Sequence, residues 1–200
     1  MVQIPGLVNS AKQFSNNAIA SGLRFFFLPN LKSQLHDEIE AQFQKFHSTG
    51  LVLDHVNGHL NIHLHPVVLK LLMENAERWG IRHLRLTSDP LSLNFRLASG
   101  NLFYRTSHAL IYKFLSRWAR PKLRQKNIRH TQVVFGLLQN ARVDENFLLK
   151  LLARLPPGDS ELYSHPSLDD FKHEFDALIG PTVKASIEKL GIKLIRYQDL

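Results

Sequence analysis

From residue 51 onward, short runs rich in Leu and β-branched residues alternate with segments whose apolar positions recur at helical spacing. Leu51 to Val56 reads as a strand, followed by a helix from Pro66 or Val67 to Trp79 that Gly80 closes. Ile81 to Leu86 reads as the next strand, then a helix runs from about Ser107 to Trp118 and a short strand covers Gln132 to Phe135. Asp144 is placed to cap a helix over Glu145 to Arg154, and Pro156-Pro157-Gly158 turns the chain into a strand at Ser160 to Tyr163. Helices near Leu168 to Leu178 and Pro181 to Leu190 precede Gly191 and a last strand at Lys193 to Tyr197. Upstream, Leu31 to Phe46 reads as an amphipathic helix and Met1 to Asn30 as irregular chain.

The alternation predicts an α/β fold with a mainly parallel sheet and helical crossovers, either open or closed into a barrel. The expectation is one domain over residues 1–200, with a loop and helix region at 1–50 and β/α units at 51–200. No repeat or low-complexity linker divides it. In such folds ligands collect at the carboxyl ends of the strands, which decides where chemistry is sought.

Composition changes this picture little. The 200 residues include no cysteine, so disulfides and thiolate metal sites are excluded. The start MVQIPGLVNSAKQF lacks the pattern of a signal peptide, and no run approaches the ~20 apolar residues of a membrane span. A soluble, cytoplasmic protein is expected. The net charge of +8 matters more, because much of it sits between Arg105 and Arg129. In the Ser107 helix, Leu110, Ile111, Phe114, Leu115 and Trp118 form an apolar side, with Lys113 and Arg117 opposite. Two readings follow: a core-packed helix with a solvated basic face, or contact with an anionic partner. For the second, a membrane surface fits better than nucleic acid, since no zinc-finger or RNP-type motif accompanies the charge.

The chemistry-bearing segment is HVNGHLNIHLHP, with His55, His59, His63 and His65. Imidazole is the commonest metal ligand among side chains, and in an extended segment these four positions share one face. Asn57-Gly58 offers a bend that carries His59 across the strand end. Any one of these histidines can equally be a satisfied core or turn residue. Asp54 falls on the face opposite His55, and Asp89 follows the Ile81 strand as a rim residue. A second constellation runs from Glu161 to His165-Pro166, where another strand ends in a histidine whose ordinary pKa suits acid–base work. Arg85 ends the Ile81 strand, as a substrate contact or as half of a structural salt bridge.

These motifs resemble the YdjC-like carbohydrate deacetylase family. Its Thr/Asp-His-x-Asp/Asn-Ser/Gly/Ala-His-x-His-x-His motif is matched by Asp54 through His63, with Asn61 in place of the middle histidine, and its Glu-x-x-x-His-Pro motif by Glu161 through Pro166. Arg24 to Pro29 (RFFFLP), Val134 to Leu137, Leu151 to Gly158 and Gly191 to Ile195 are similar to the hopanoid-biosynthesis-associated branch, HpnK. The resemblance implies a deformed (β/α) barrel and a metal-dependent hydrolase that removes an N-acetyl group from an amino-sugar-bearing hopanoid glycolipid. The implied divalent metal is magnesium, with zinc as the alternative. His59 would be a metal ligand, and His165 the catalytic histidine beside the scissile amide. His63, His55, Asn61, Arg85 and Glu161 would bind substrate or support the site. The family's opening Asp-Asp-Phe-Gly segment does not occur. The chain is therefore expected to be the C-terminal two-thirds of such a barrel, lacking its first strands. By itself it should be inactive or nearly so, with exposed edges that invite homo-oligomers. The competing expectations are an inactive remnant that binds glycolipid or a membrane surface, peripheral to the inner membrane, and a metal hydrolase of esters or phosphates.

Overall fold

A computed structural model describes residues 4–97, 102–139 and 141–200. The contacts divide the chain into two compact units, one made of residues 1–85 and 121–129, the other of 86–120 and 130–200.

The first unit is mostly helical. Residues expected to be irregular contain α1 (Ala18–Phe27), which starts where the Asn17 side chain accepts the Ala20 N–H. Met1 to Gln3 of that stretch lie outside the described residues. Next come α2 (Leu31–His47), a tight turn of 3₁₀ type over His59–Leu64, and α3 (Pro66–Glu74). Pro66 suits the first position of α3 because its missing N–H would have had no helical partner. The helix expected to reach Trp79 stops at Glu74, and Gly80, at φ +67°, ends the turns that follow. Trp79 packs under α2, its ring stacked on Phe43 at 4.7 Å while its indole N–H donates to Glu40, which also pairs with Arg78.

The strands expected at Leu51 to Val56 and Ile81 to Leu86 shrink to single parallel bridges, Val56 with Leu84 and His83 with Arg129. A strand extends only where a neighbouring strand runs alongside to take its hydrogen bonds. Leu51 and Val52 have none among the described residues and stand 65% and 78% exposed.

The second unit holds α4 (Leu91–Leu97), most of α5 (Leu102–Gln125), β1 (Val133–Phe135), α6 (Glu145–Leu152), β2 (Ser160–Leu162), α7 (Lys172–Ile179) and α8 (Pro181–Lys189). β1 and β2 pair in parallel, and Val134 N–H donates to the Ser88 carbonyl on the other side of β1. The parallel sheet is thus present but short. Asp144 caps α6 as its position predicted, accepting from Phe147 N–H at 2.7 Å. Phe135, Phe147, Leu148, Leu151, Ala177 and Val183 form the core under it. No strand forms at Lys193 to Tyr197, where Leu194 lies exposed and a 3₁₀ turn over Tyr197–Asp199 ends the chain.

α5 reverses its expected orientation. Its inward face is Arg105, Ala109, Ser116, Ala119 and Leu123, whereas Leu110, Ile111 and Phe114 are exposed. The cause is a buried polar network. Arg105 donates to the side chain and carbonyl of Asn94 at 2.7 and 2.6 Å, and Ser116 meets Thr87. Once that side is fixed, the apolar stripe on the other side faces outward.

Gly136 carries the tightest backbone approach, at φ +97°. A Cβ there would collide with the Tyr163 carbonyl oxygen, a backbone atom that cannot swing away. Gly136→Ala is expected to lower stability by about 3 kcal/mol, read as a shift of the urea midpoint at unchanged slope. A loss under 1 kcal/mol would mean that β1 and β2 are not locked at this register.

Candidate functional site

In the first unit the histidine segment is a tight turn, not an extended face. Leu60 and Asn61 are both left-handed, at φ 50° and 58°, so strand alternation does not hold: His55, His59 and His63 border one cavity, while His65 is turned away to cap α3. His63 turns inward and is 2% exposed. Its Nδ1 accepts the Gly58 N–H at 2.9 Å and its Nε2–H donates to the Arg85 carbonyl at 2.9 Å, which fixes the neutral tautomer. Burial pulls its pKa down to about 4, aided by the nearby Arg85 and His55 charges and opposed by the two backbone hydrogen bonds. His65 caps α3 through Nδ1 and packs its ring on Phe25 and Phe26 of α1. His55 pairs with Asp54 at 2.8 Å, so those two meet although strand alternation had put them on opposite faces.

His59 remains exposed at the edge of a cavity of about 640 Å³. Apolar side chains from α1, α2 and α3 line most of it, among them Phe25, Ile39, Phe43 and Val68. His55, Asn57, His59 and His63 supply a polar end. Asn61 sits half-buried in the turn beside it, and Arg85 is buried with its carbonyl committed to His63.

The second unit places His165 three residues past the end of β2. Its ring is exposed, its Nε2 lies 2.7 Å from the Tyr163 hydroxyl, and the Tyr163 and Phe171 rings stand at 4.7 and 5.8 Å. Its backbone N–H donates to Glu174, a fully buried carboxylate whose other oxygen accepts the Val143 N–H at 2.9 Å. Glu174 thus ties the loop before α6 to the loop carrying His165. Glu161 accepts a hydrogen bond from the Tyr197 hydroxyl and braces the chain's end against β2.

The sequence pointed to His165 but not to its holders. Glu174 lies on a helix whose first turn favours any acidic residue, so its burial left no local mark. The sequence places Tyr163 at the end of a strand, and its spacing two residues before His165 is the one available signal. Asp89, expected at a rim, is buried instead. One oxygen accepts the Leu138 N–H at 3.2 Å, and the Gly136 and Leu137 amides also face the carboxylate. Desolvation pushes its pKa up to about 7, with the Leu138 amide and Arg105 opposing.

Among the described residues no three His, Asp or Glu side chains come together in a way able to hold a metal ion. His63 has spent both ring nitrogens, and one imidazole at His59 is short of the three protein ligands of a catalytic site. The donor set here does not by itself fit the divalent ion that the resemblance implies.

His63 and Asp89 give opposite pH signatures. With its folded pKa below the ordinary 6.5, His63 stabilises fully above pH 6.5, and stability falls as pH drops toward 4. With its folded pKa above 3.8, Asp89 makes stability fall as pH rises from about 4 to 7. His63→Phe should cost about 2 kcal/mol at neutral pH by stranding the Gly58 amide and Arg85 carbonyl, and should abolish the acid-side loss. Asp89→Asn should remove the other slope and stabilise at pH 8. Urea unfolding from pH 4.5 to 8 reads both; variants that keep the wild-type pH slope would contradict these assignments.

A carbohydrate deacetylase of Mus musculus is 25% identical, the match covering 84% of this chain and 62% of that protein. One of Geobacillus stearothermophilus is 23% identical, covering all of this chain and 70% of that protein. The chain thus spans about two-thirds of the length of these relatives. A crystal structure from Enterococcus faecalis, named as a candidate cellobiose-phosphate cleavage protein, superposes with a TM-score of 0.66 at 19% identity, covering 98% of this chain and 69% of that one. That likeness establishes a shared fold. The family model described as YdjC-like protein matches residues 2–189, and the chain belongs to that family.

Proposed function

We propose that this chain serves a hydrolase that removes the N-acetyl group from an amino-sugar-bearing substrate, a glycolipid of the hopanoid type. In this reading the fold is the deformed (β/α) barrel of the family. A divalent ion, magnesium or zinc, would be the cofactor, with His59 as a single donor to it from the described residues. The observation that carries the reading is the setting of His165. An exposed imidazole, oriented by Tyr163 and Phe171 and anchored through its backbone by a buried carboxylate, suits proton transfer to a leaving group. His165 would protonate the sugar nitrogen as the C–N bond of the amide breaks. Water supplies the oxygen, and acetate and a free amine leave. The relatives named carbohydrate deacetylases support the substrate class. The apolar cavity beside His59 suits the lipid part of a glycolipid.

A second reading has one observation in its favour, the lack of a three-ligand group among the described residues. In it the chain binds glycolipid without hydrolysing it.

Acetate release from an N-acetylglucosamine-bearing glycolipid separates the two, followed by proton NMR with magnesium or zinc present. The rate expected of the chain by itself is low. His165→Ala should lower it by a further factor of about 100 or more while leaving glycolipid binding intact. Binding with no acetate from either protein would establish the second reading; acetate release indifferent to His165 would overturn the role given to that histidine.

A further inference from the structure

The outward face of α5 has no part in the chemistry above, and it is built unlike an ordinary solvated helix. Phe103, Leu110 and Phe114 follow one another at spacings of seven and four, so they form a single stripe along the helix. They are 88%, 61% and 69% exposed, and Ile111 beside them is 52% exposed. Three large side chains in one line on a surface exceed the scattered apolar residues that any protein displays. The core has no claim on this face, because the opposite side, from Arg105 to Leu123, is the one that is buried.

Charge decides what covers the stripe. Lys113, Arg117 and Arg120 are exposed, and around the helix they lie along one flank of the apolar residues. Among the described residues none of the three takes part in a salt bridge, and α5 has no acidic residue anywhere along its 24 positions. A helix that pairs a bulky apolar face with an all-cationic flank matches an anionic lipid surface, with rings among the acyl chains and cations among the headgroups. An interface between copies of this chain would instead bring cations against cations in a protein already at +8. The helix is too polar to span, since no described helix is long and apolar enough to cross a membrane.

We propose that α5 is a membrane-docking helix that lies flat on anionic bilayers through Phe103, Leu110 and Phe114, with Lys113, Arg117 and Arg120 engaging lipid phosphates. The site stands apart from the hydrolase reading and survives its failure.

Vesicle co-sedimentation of the whole chain tests it. Vesicles of phosphatidylcholine with one-quarter phosphatidylglycerol should bind the protein at least ten-fold more tightly than phosphatidylcholine alone, and binding should weaken as sodium chloride rises from 0.05 to 0.5 M, on the order of the screening expected for exposed charges. Phe114→Glu should reduce partitioning by ten-fold or more. Arg117→Gln should reduce it by about five-fold, the equivalent of ~1 kcal/mol per interfacial cation. Both sites are exposed, so unchanged circular dichroism is expected. Trp118 lies beside Phe114 on the helix and is half-buried, whereas the other tryptophan, Trp79, is 2% exposed. Brominated acyl chains should therefore quench emission from the wild type and not from Trp118→Phe. Equal binding to neutral and anionic vesicles would overturn the proposal. So would no binding at all, or a concentration-dependent dimer in light scattering that Phe114→Glu dissolves, which would assign the stripe to a second copy.

Discussion

A buried polar side chain must find a partner, and in this protein the partners are backbone groups from distant parts of the chain. His63 is met by Gly58 and Arg85, Glu174 by Val143 and His165, and Asp89 by Leu138. Leaving any of these groups bare costs on the order of 1–3 kcal/mol. Each contact therefore fixes the path of a loop that has no regular secondary structure to hold it. With the strands among the described residues three residues long, the sheet alone could not do this.

The two histidine-bearing loops illustrate two uses of the same residue. His63 is inside, neutral and spent on its own loop; it shapes the turn that leaves His59 in the open. His165 is outside, with its backbone held so that its ring stays available. Burial separates the roles. Desolvation takes His63 out of the range where it can exchange protons at neutral pH, whereas His165 keeps contact with solvent through an exposed ring.

The Asp89–Arg105 region shows how one buried charge propagates. A buried carboxyl group favours a cation nearby, and Arg105 lies on the inner side of α5, where Asn94 takes its hydrogen bonds. The helix cannot bury both that side and its aromatic side. The outward stripe of Phe103, Leu110 and Phe114 is the consequence of this choice as much as a surface in its own right.

Much of the organisation was legible residue by residue. The Asp144 cap, the Pro66 start and the strands near Val133 and Ser160 all follow from signals within a few residues of each other, which is why a linear reading finds them. The histidine spacing was legible as well, but not its geometry. Alternation assumed an extended chain, and two left-handed residues, Leu60 and Asn61, broke it. Tertiary structure alone decided the rest. Whether 51–56 becomes a strand depends on a neighbour that pairs with it. Which side of α5 faces in depends on Asp89 and Asn94, and whether Glu174 is a surface charge or a buried clamp depends on loops about thirty and nine residues before it. Local chemistry sets what a segment is able to be. The contacts it makes with remote residues, and the water those contacts exclude, set which of its faces and groups are left to act.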